Sequence, residues 1–282
     1  MLTHVDKSFD KTLVMASIRY LQVLSNPGIE ANIMVAMVKD NETIPERKIA
    51  IKQYLMSTPE QHIQIEEKML TRLQGQKGIA RLTKCPAPLN IWQLPLEYAE
   101  HGDFVTFMEK LRDKKLHTPL TRRHIHQIFD QLLNGVNSIL SLGYVHRDIK
   151  PDNILVYSFD ENNIEMGIAD FGLAIKRGQT EYVGGTSQYI PPRLKEKSHH
   201  TYTGSEDVYA IGTTLVLLMS FMDPVIFEAE KALAVRVRIS TLKMLPQLIN
   251  DLYKLRDRAL ARPITPTPVN SSKTNISSPI DI

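Results

Sequence analysis

The pattern of apolar and polar positions in the middle of the chain predicts a β-hairpin. Residues 154–156 form a short apolar run, and every second side chain in residues 164–168 is apolar. The polar residues 160–163 between these runs are typical of a turn. Because the two strands of a hairpin end side by side, Asn153 before the first strand should lie close to Asp170 after the second.

A second pattern predicts a helix that begins near residue 60. Residues 58–60 combine a cap, a proline and an acid, which is the composition of a helix start. Glu66 shares one face of this helix, at the spacing i, i+3, i+4 and i+7, with Met69, Leu70 and Leu73. A carboxylate on an apolar face needs a cation as its partner. We therefore expect Glu66, and not the solvated Glu67, to have a functional role.

Length and composition favour a globular protein with a sizeable core. The chain has 282 residues, which is enough for one large domain or for two lobes. Its longest apolar stretch, residues 208–222, is too short to span a bilayer and is interrupted by Gly212, so it predicts a buried core helix. Residues 263–282 are rich in Pro, Ser and Thr, and we expect a disordered tail there.

Charge and cysteine content narrow the class of partner and the compartment. The net charge of +3 is too small to indicate binding to nucleic acid or to a membrane. The single Cys85 excludes an intrachain disulfide framework and suits a reducing compartment. The N-terminus carries charged residues before any long apolar run, so it does not resemble a signal peptide. These features favour a cytoplasmic location.

Two polar segments carry the most informative chemistry, one at residues 146–153 and one beginning at Asp170. Asp170 follows Asn153 by 17 positions, and this order and spacing match a phosphoryl-transfer site. Asp148 can accept the proton of an acceptor hydroxyl, and Lys150 can stabilise the phosphoryl group in transfer. Asn153 and Asp170 offer oxygen ligands to Mg²⁺, a cation that prefers oxygen.

Together these motifs resemble those of the eukaryotic-type protein kinases, and the resemblance covers residues 25–262. It implies an α+β fold of two lobes with ATP between them: a small antiparallel β N-lobe with one helix, and a mainly helical C-lobe. The N-lobe would comprise residues 25–95, and the hinge and C-lobe residues 96–262. Residues 1–24 would form an N-terminal extension, and residues 263–282 the tail.

The resemblance implies a set of nucleotide-binding residues. Lys52 matches the strand lysine that contacts the α- and β-phosphates, and its partner would be Glu66. Residues 94–103 resemble the hinge, in which Leu96 would be the gatekeeper and the backbone of Glu97 and Ala99 would pair with adenine. Further contacts would come from Gly28, Val35, Ala50, Asp103, Leu155 and Asp170. Asp103 would lie near the ribose, and it could equally be the N-cap of a helix at residues 104–112.

A further segment, residues 185–192, resembles the part of a kinase that receives the acceptor residue. Thr186 in this segment would hydrogen-bond to Asp148 and Lys150, and both Thr186 and Lys150 are typical of serine/threonine kinases. Asp207 matches the acid that holds the backbone of the catalytic loop, and its alternative role is that of an acid at a helix N-terminus.

The arginine before the catalytic aspartate has an implied role of its own. Arg147 occupies the position at which kinases pair an arginine with a phosphate on the activation loop. Thr180 and Tyr182 lie in that loop and are the candidate phosphorylation sites.

The chain departs from the family pattern in the phosphate-covering loop, at Arg193 and in a shortened C-terminal part. Glu30 and Ile33 replace two glycines of the phosphate-covering loop, and a carboxylate there would repel phosphate. Arg193 stands where the family has an acid that pairs with a late arginine. A buried Arg193 would need an acid partner, for which Asp257 is the candidate. Alternatively Arg193 points into water, in a basic patch with Lys195 and Lys197.

The sequence therefore favours an ATP- and Mg²⁺-dependent serine/threonine protein kinase whose partners are ATP and a protein substrate, without nucleic acid or a membrane span. The alternative is a pseudokinase, a nucleotide-binding or scaffold module without turnover. A third hypothesis is a small-molecule kinase of the same superfamily. The short C-terminal part suggests a divergent branch, such as a microbial or viral kinase acting inside a host cell.

Overall fold

The computed structural model describes residues 17–24, 31–40, 44–113 and 115–222. Contacts divide these residues into two units, which we describe separately. The first unit comprises the described residues up to Pro59 together with Leu82–Tyr98, and the second comprises Glu60–Arg81 and the residues from Ala99 onward. The second unit thus includes the helix that follows Pro59, which sequence analysis grouped with the N-lobe.

The first unit is an antiparallel sheet of four strands. These are β1 (Ser17–Leu24), β2 (Ala31–Lys39), β3 (Arg47–Tyr54) and β5 (Gln93–Glu97), hydrogen-bonded in the order β1-β2-β3-β5. One face carries a fully buried apolar cluster of Ala36, Val38, Ile49 and Ile51. The sheet therefore begins at Ser17, before the residue 25 at which sequence analysis placed the start of the N-lobe.

Four helices belong to the second unit: α1 (Glu60–Leu73), α2 (Phe104–Arg112), α3 (Arg122–Ser141) and α4 (Ser205–Met222). Helix α1 confirms the predicted apolar face, because Glu66, Met69, Leu70 and Leu73 are buried while Glu67 is exposed. Helix α4 confirms the predicted core helix, with Val208, Ile211 and Leu215 at 0% exposure. Within the described residues, no helix combines the length and the apolarity that a membrane crossing requires.

The predicted hairpin is present and forms part of a three-stranded sheet. Strands β7 (Ile154–Phe159) and β8 (Ile164–Ile168) pair antiparallel, and β4 (Gly78–Ile79) pairs parallel with β8. Helix α3 reaches this sheet through the buried Gln131, whose amide donates to Ile164 O at 2.8 Å and accepts from Met166 N at 3.0 Å. Gly78, at φ +81°, permits this approach, because a Cβ there would collide with Gln131 O.

The remaining strands of the second unit are short. They are β6 (Tyr144–Val145), β9 (Ile175–Lys176), β10 (Thr180–Tyr182) and β11 (His199–Thr201). Strand β6 pairs with β9, and β10 pairs with β11. Single 3₁₀ turns cover Pro151–Asn153, Ser187–Tyr189 and Pro192–Leu194. The pair β6–β9 places Ile175–Lys176 beside Tyr144–Val145, which directly precede residues 146–153, and the pair β10–β11 joins Thr180–Tyr182 to His199–Thr201.

Candidate active site

Asp148 is the centre of a hydrogen-bonded group in the second unit. Its Oδ1 accepts from the backbone N–H of Thr186 at 2.8 Å and from the Thr186 hydroxyl at 2.9 Å. Its Oδ2 lies 3.1 Å from Lys150 Nζ and accepts from Asn153 Nδ2 at 3.1 Å. Lys150 Nζ also donates to the Thr186 hydroxyl at 2.8 Å. The contacts that the resemblance implied for Thr186 are therefore present.

Residues 146–153, which we call the catalytic loop, are held in place by hydrogen bonds that involve buried side chains. Asp207, 1% exposed, accepts from His146 N at 2.6 Å and from Arg147 N at 2.9 Å. Burial raises the pKa of Asp207 to about 7, although the bonds from these two N–H groups lower it. The fully buried His146 has its Nε2 3.0 Å from Ala169 O, and its Nδ1 accepts from Asp148 N at 3.3 Å. These partners select the tautomer with the proton on Nε2.

Arg147 and Asp170 have left-handed backbone conformations, at φ +76° and +65°, although neither is a glycine. Such conformations cost free energy and are concentrated at functional sites. The Arg147 guanidinium donates to Leu173 O at 3.3 Å and to Tyr182 O at 2.6 Å, and it lies 4.6 Å from the centre of the Tyr202 ring. Arg147 thus already binds the loop that would carry the phosphate.

Asn153 and Asp170 meet at the open end of the hairpin, as the strand pattern predicted. Ile154 pairs with Ile168, and Ala169 N donates to Asn153 O at 2.8 Å. Asn153 uses its Nδ2 to donate to Asp148, so the amide turns its oxygen away from that bond. An amide oxygen and a carboxylate fit Mg²⁺, which completes its coordination with water and phosphate oxygens. The described residues contain no cluster of three or more His, Cys, Asp or Glu side chains fit for a metal ion.

Glu66 lies beside this segment. Glu66 as a whole residue is 1% exposed, and a Cβ built on Gly172 would lie 3.9 Å from Glu66 Oε2 and 3.6 Å from Asp170 Oδ1. Helix α1 therefore places Glu66 next to residues 170–172. The pairing of Glu66 with Lys52 stays a prediction, because Lys52 belongs to the other unit.

The first unit gathers several of the expected nucleotide-binding residues on one sheet face. Val35 in β2 and Leu96 in β5 both pair with Ala50 in β3, so the three side chains lie side by side. Lys52, 8% exposed, is two residues further along β3 and therefore points to the same face. Its Nζ lies 5.1 Å from the centre of the Tyr54 ring. Gly28 and Glu30 lie outside the described residues.

The expected hinge residues fall at the boundary of the two units. Glu97 ends β5 in the first unit, and in the second unit Ala99 O accepts from Gly102 N at 3.0 Å. Asp103 is the N-cap of α2, since its Oδ1 accepts from Thr106 N at 2.8 Å. Asp103 also forms an isolated bridge with Leu155 of β7. The helix-capping role of Asp103 is thus present, and its contact with the ribose stays a prediction.

Sequence reasoning did not find Glu206, the buried acid that binds Arg193. Arg193 Nη2 lies 3.1 Å from Glu206 Oε1 and donates to Ser205 Oγ at 3.0 Å. The alternative that Arg193 points freely into water beside Lys195 and Lys197 is therefore wrong, while Asp257 lies outside the described residues. The sequence feature that could have pointed to Glu206 is its place directly before Asp207 at the start of a helix.

Comparisons with known proteins point to one family. The family model of the protein kinase domain matches residues 28–264. The serine/threonine-protein kinase PKH1 of Saccharomyces cerevisiae is 27% identical over 252 residues, which are 80% of this chain and 31% of that protein. The cyclin-dependent kinase E-1 of Arabidopsis thaliana is 33% identical over 191 residues, 64% of this chain and 40% of that protein. The chain therefore spans less than half the length of these relatives.

Proposed function

We propose that this chain, which belongs to the protein kinase family, is a serine/threonine kinase that transfers the γ-phosphoryl group of ATP to Ser or Thr hydroxyls of proteins. The contact set of Asp148 carries the proposal. One carboxylate is bound by Thr186 of the acceptor segment, by Lys150 and by Asn153. This set combines a proton acceptor, a cation and a metal ligand at one point, which is what phosphoryl transfer requires.

Each residue has a distinct task in this proposal. Asp148 orients the acceptor hydroxyl and accepts its proton as the hydroxyl oxygen bonds to the γ-phosphorus, while the bond from that phosphorus to the bridging oxygen breaks and ADP leaves. Lys150, held by Asp148 and the Thr186 hydroxyl, offsets negative charge on the phosphoryl group. Asn153 and Asp170 would hold Mg²⁺, which supplies charge neutralisation on the phosphates when it is bound. Lys52 would bind the phosphates from the first unit.

A transfer assay with the full chain tests the proposal. The chain is incubated with Mg²⁺ and ATP labelled in the γ-phosphate, with a basic test protein and, separately, with a panel of small-molecule acceptors. We expect label in Ser or Thr of the protein acceptor and a loss of roughly 10²–10⁴-fold for Asp148→Asn. Glu161→Gln is the matched control, because it makes the same carboxylate-to-amide change in an exposed turn.

The same assay separates the alternatives. If the unmodified chain binds ATP with Mg²⁺ in a thermal-shift titration but transfers no label, the chain is a pseudokinase. Label in a small molecule and not in protein would select the small-molecule kinase. If Asp148→Asn transfers label as fast as the unmodified chain, Asp148 is not the proton acceptor. A cytoplasmic location, which the single Cys85 suits, stays part of the proposal.

A further inference from the structure

Glu206 is a buried carboxylate with many bonds that lies outside the catalytic group. Its side chain is 5% exposed. Oε2 accepts from Thr203 N and Gly204 N, each at 2.9 Å, and Oε1 accepts from Ser205 Oγ at 3.0 Å. Arg193 Nη2 and His200 Nε2 lie 3.1 and 2.9 Å from the same Oε1. A buried carboxylate needs hydrogen-bond donors and a cation around it, since burying an unpaired charge costs much free energy.

The partners of Glu206 come from three separate segments. Arg193 directly follows the acceptor segment, residues 185–192, and lies in the 3₁₀ turn Pro192–Leu194. His200 lies in strand β11, and residues 203–205 lead into helix α4. Strand β11 pairs with β10, whose Tyr182 O binds Arg147. One carboxylate therefore ties the acceptor segment, the β10–β11 pair and the start of α4 together.

The charge of Glu206 is favoured at this place. Burial alone would raise its pKa, but the hydrogen bonds from His200, the local backbone N–H groups and Ser205 outweigh it, so the pKa lies below its ordinary value. The positive end of helix α4 stabilises an acid in the first turn. Arg193 keeps its charge at every working pH. The pair is therefore fully ionised wherever an enzyme of this kind is assayed.

The first turn of α4 also holds the catalytic loop. Asp207, the next residue, binds the backbone N–H groups of His146 and Arg147. The chain from Thr186 to Arg193 has little freedom, because it contains two 3₁₀ turns and two prolines. A fixed Arg193 thus fixes the position of Thr186 relative to Asp148.

We propose that Arg193 and Glu206 are positioning residues for phosphoryl transfer, which hold the acceptor segment against the catalytic loop by an ion pair whose basic member directly follows that segment. The proposal rests on the proposed kinase function. It assigns the ion pair to binding and aligning the protein acceptor, and not to binding ATP. Neither residue touches the reacting atoms, so both act through Thr186 and Asp148.

The test compares Arg193→Met, Arg193→Lys, Glu206→Gln and the double variant Arg193→Met/Glu206→Gln. Lys195→Met is the matched control, since Lys195 is an exposed cation two residues away. Steady-state kinetics with a protein acceptor and with ATP give kcat and both KM values. Hydrogen exchange of residues 187–201, with β2 and β3 as internal reference, reports the segment without any need for activity.

We expect Arg193→Met to lower kcat/KM for the acceptor about tenfold or more, with the KM for ATP within about twofold. Arg193→Lys should recover part of the loss, because it keeps the charge. The double variant should lose less than the product of the two single losses, because the residues act as a pair. Exchange in residues 187–201 should rise in both single variants and stay unchanged in β2 and β3.

Three results would overturn the proposal. If Arg193→Met has the same kcat/KM for the acceptor and the same hydrogen-exchange rates as the unmodified chain, the ion pair has no positioning role. An equal loss toward ATP and acceptor, or faster exchange in every segment, would mark a general structural role. If the unmodified chain transfers no phosphate, the proposed function fails by itself, and unchanged exchange in Arg193→Met would then reject the positioning role independently.

Discussion

The activation segment, which we take as residues 170–193, is held at its two ends by different kinds of interaction. At the first end, Phe171 is fully buried with its ring centre 4.7 Å from that of His146, and Asp170 is held at a positive φ. At the second end, Arg193 is partly exposed and is held by the buried carboxylate of Glu206. Packing thus fixes the end that carries the proposed metal ligand Asp170, and charge fixes the end that would receive the acceptor.

This difference suggests which end of the activation segment tolerates amino-acid substitution better. A packed aromatic ring fits one cavity, so its replacement leaves a void that the surroundings fill only in part. An ion pair can be rebuilt with different residues, provided that a buried acid faces a cation. The second end has Arg193 where the resemblance implied an acid, and the buried Glu206 supplies the acid of an ion pair there.

The largest effect should come from Asp170→Ala, which removes the chemistry of the first end but keeps its packing. We expect turnover to fall by about a thousandfold or more, because a metal ion contributes several kcal/mol to such a transition state. Thermal-shift titrations with ATP, with and without Mg²⁺, measure the cause. A Mg²⁺ effect as large as in the unmodified chain would contradict the assignment of Asp170.

The packing of the first end is tested by Phe171→Ala. The cavity left by a fully buried ring should lower the free energy of unfolding by about 3–5 kcal/mol, which appears as a lower Tm. Leu173→Ala is the control, since Leu173 is only partly buried. Similar losses for both variants would show that Phe171 is not a special anchor.

The first end was also the more predictable one from sequence. The alternation around residues 154–168 placed Asn153 next to Asp170, and the apolar face of α1 selected Glu66. These predictions succeeded because they depend on local periodicity. The partner of Arg193 was not predicted in this way, because Glu206 follows no periodic pattern that would have singled it out. Strand β1 was missed for a similar reason, because an edge strand with exposed Tyr20, Leu21 and Val23 lacks a clear buried face.

A smaller effect should appear in the pH dependence of stability through Asp207, the buried acid that binds the backbone of the catalytic loop. Its folded pKa of about 7 lies above its ordinary value, so folding takes up a proton between these two pH values. The contribution of Asp207 to stability is therefore full at low pH and declines as pH rises through this window. The Tm of the unmodified chain minus that of Asp207→Asn should fall by a few degrees between about pH 5 and pH 8. A difference that grows with pH would mean that the folded state favours the carboxylate.

The smallest effect should be a difference between the two ends in how their amide hydrogen exchange responds to salt. Salt screens an ion pair that reaches solvent but has little influence on a buried ring. Raising the ionic strength from about 0.05 to about 0.5 M shortens the Debye length roughly threefold, so the Arg193–Glu206 pair should weaken. We expect the amides of Leu194 and Lys197, which bond to Pro191 O and Leu194 O, to exchange about two- to threefold faster. The amides of Ala169 and Ala174, bonded to Asn153 O and Phe171 O, should keep their exchange rates.

The variant Arg193→Met is the control for this salt effect. The salt effect at the second end should vanish in it, because the ion pair that salt screens is no longer there. Equal salt effects at both ends would show that charge does not set them apart.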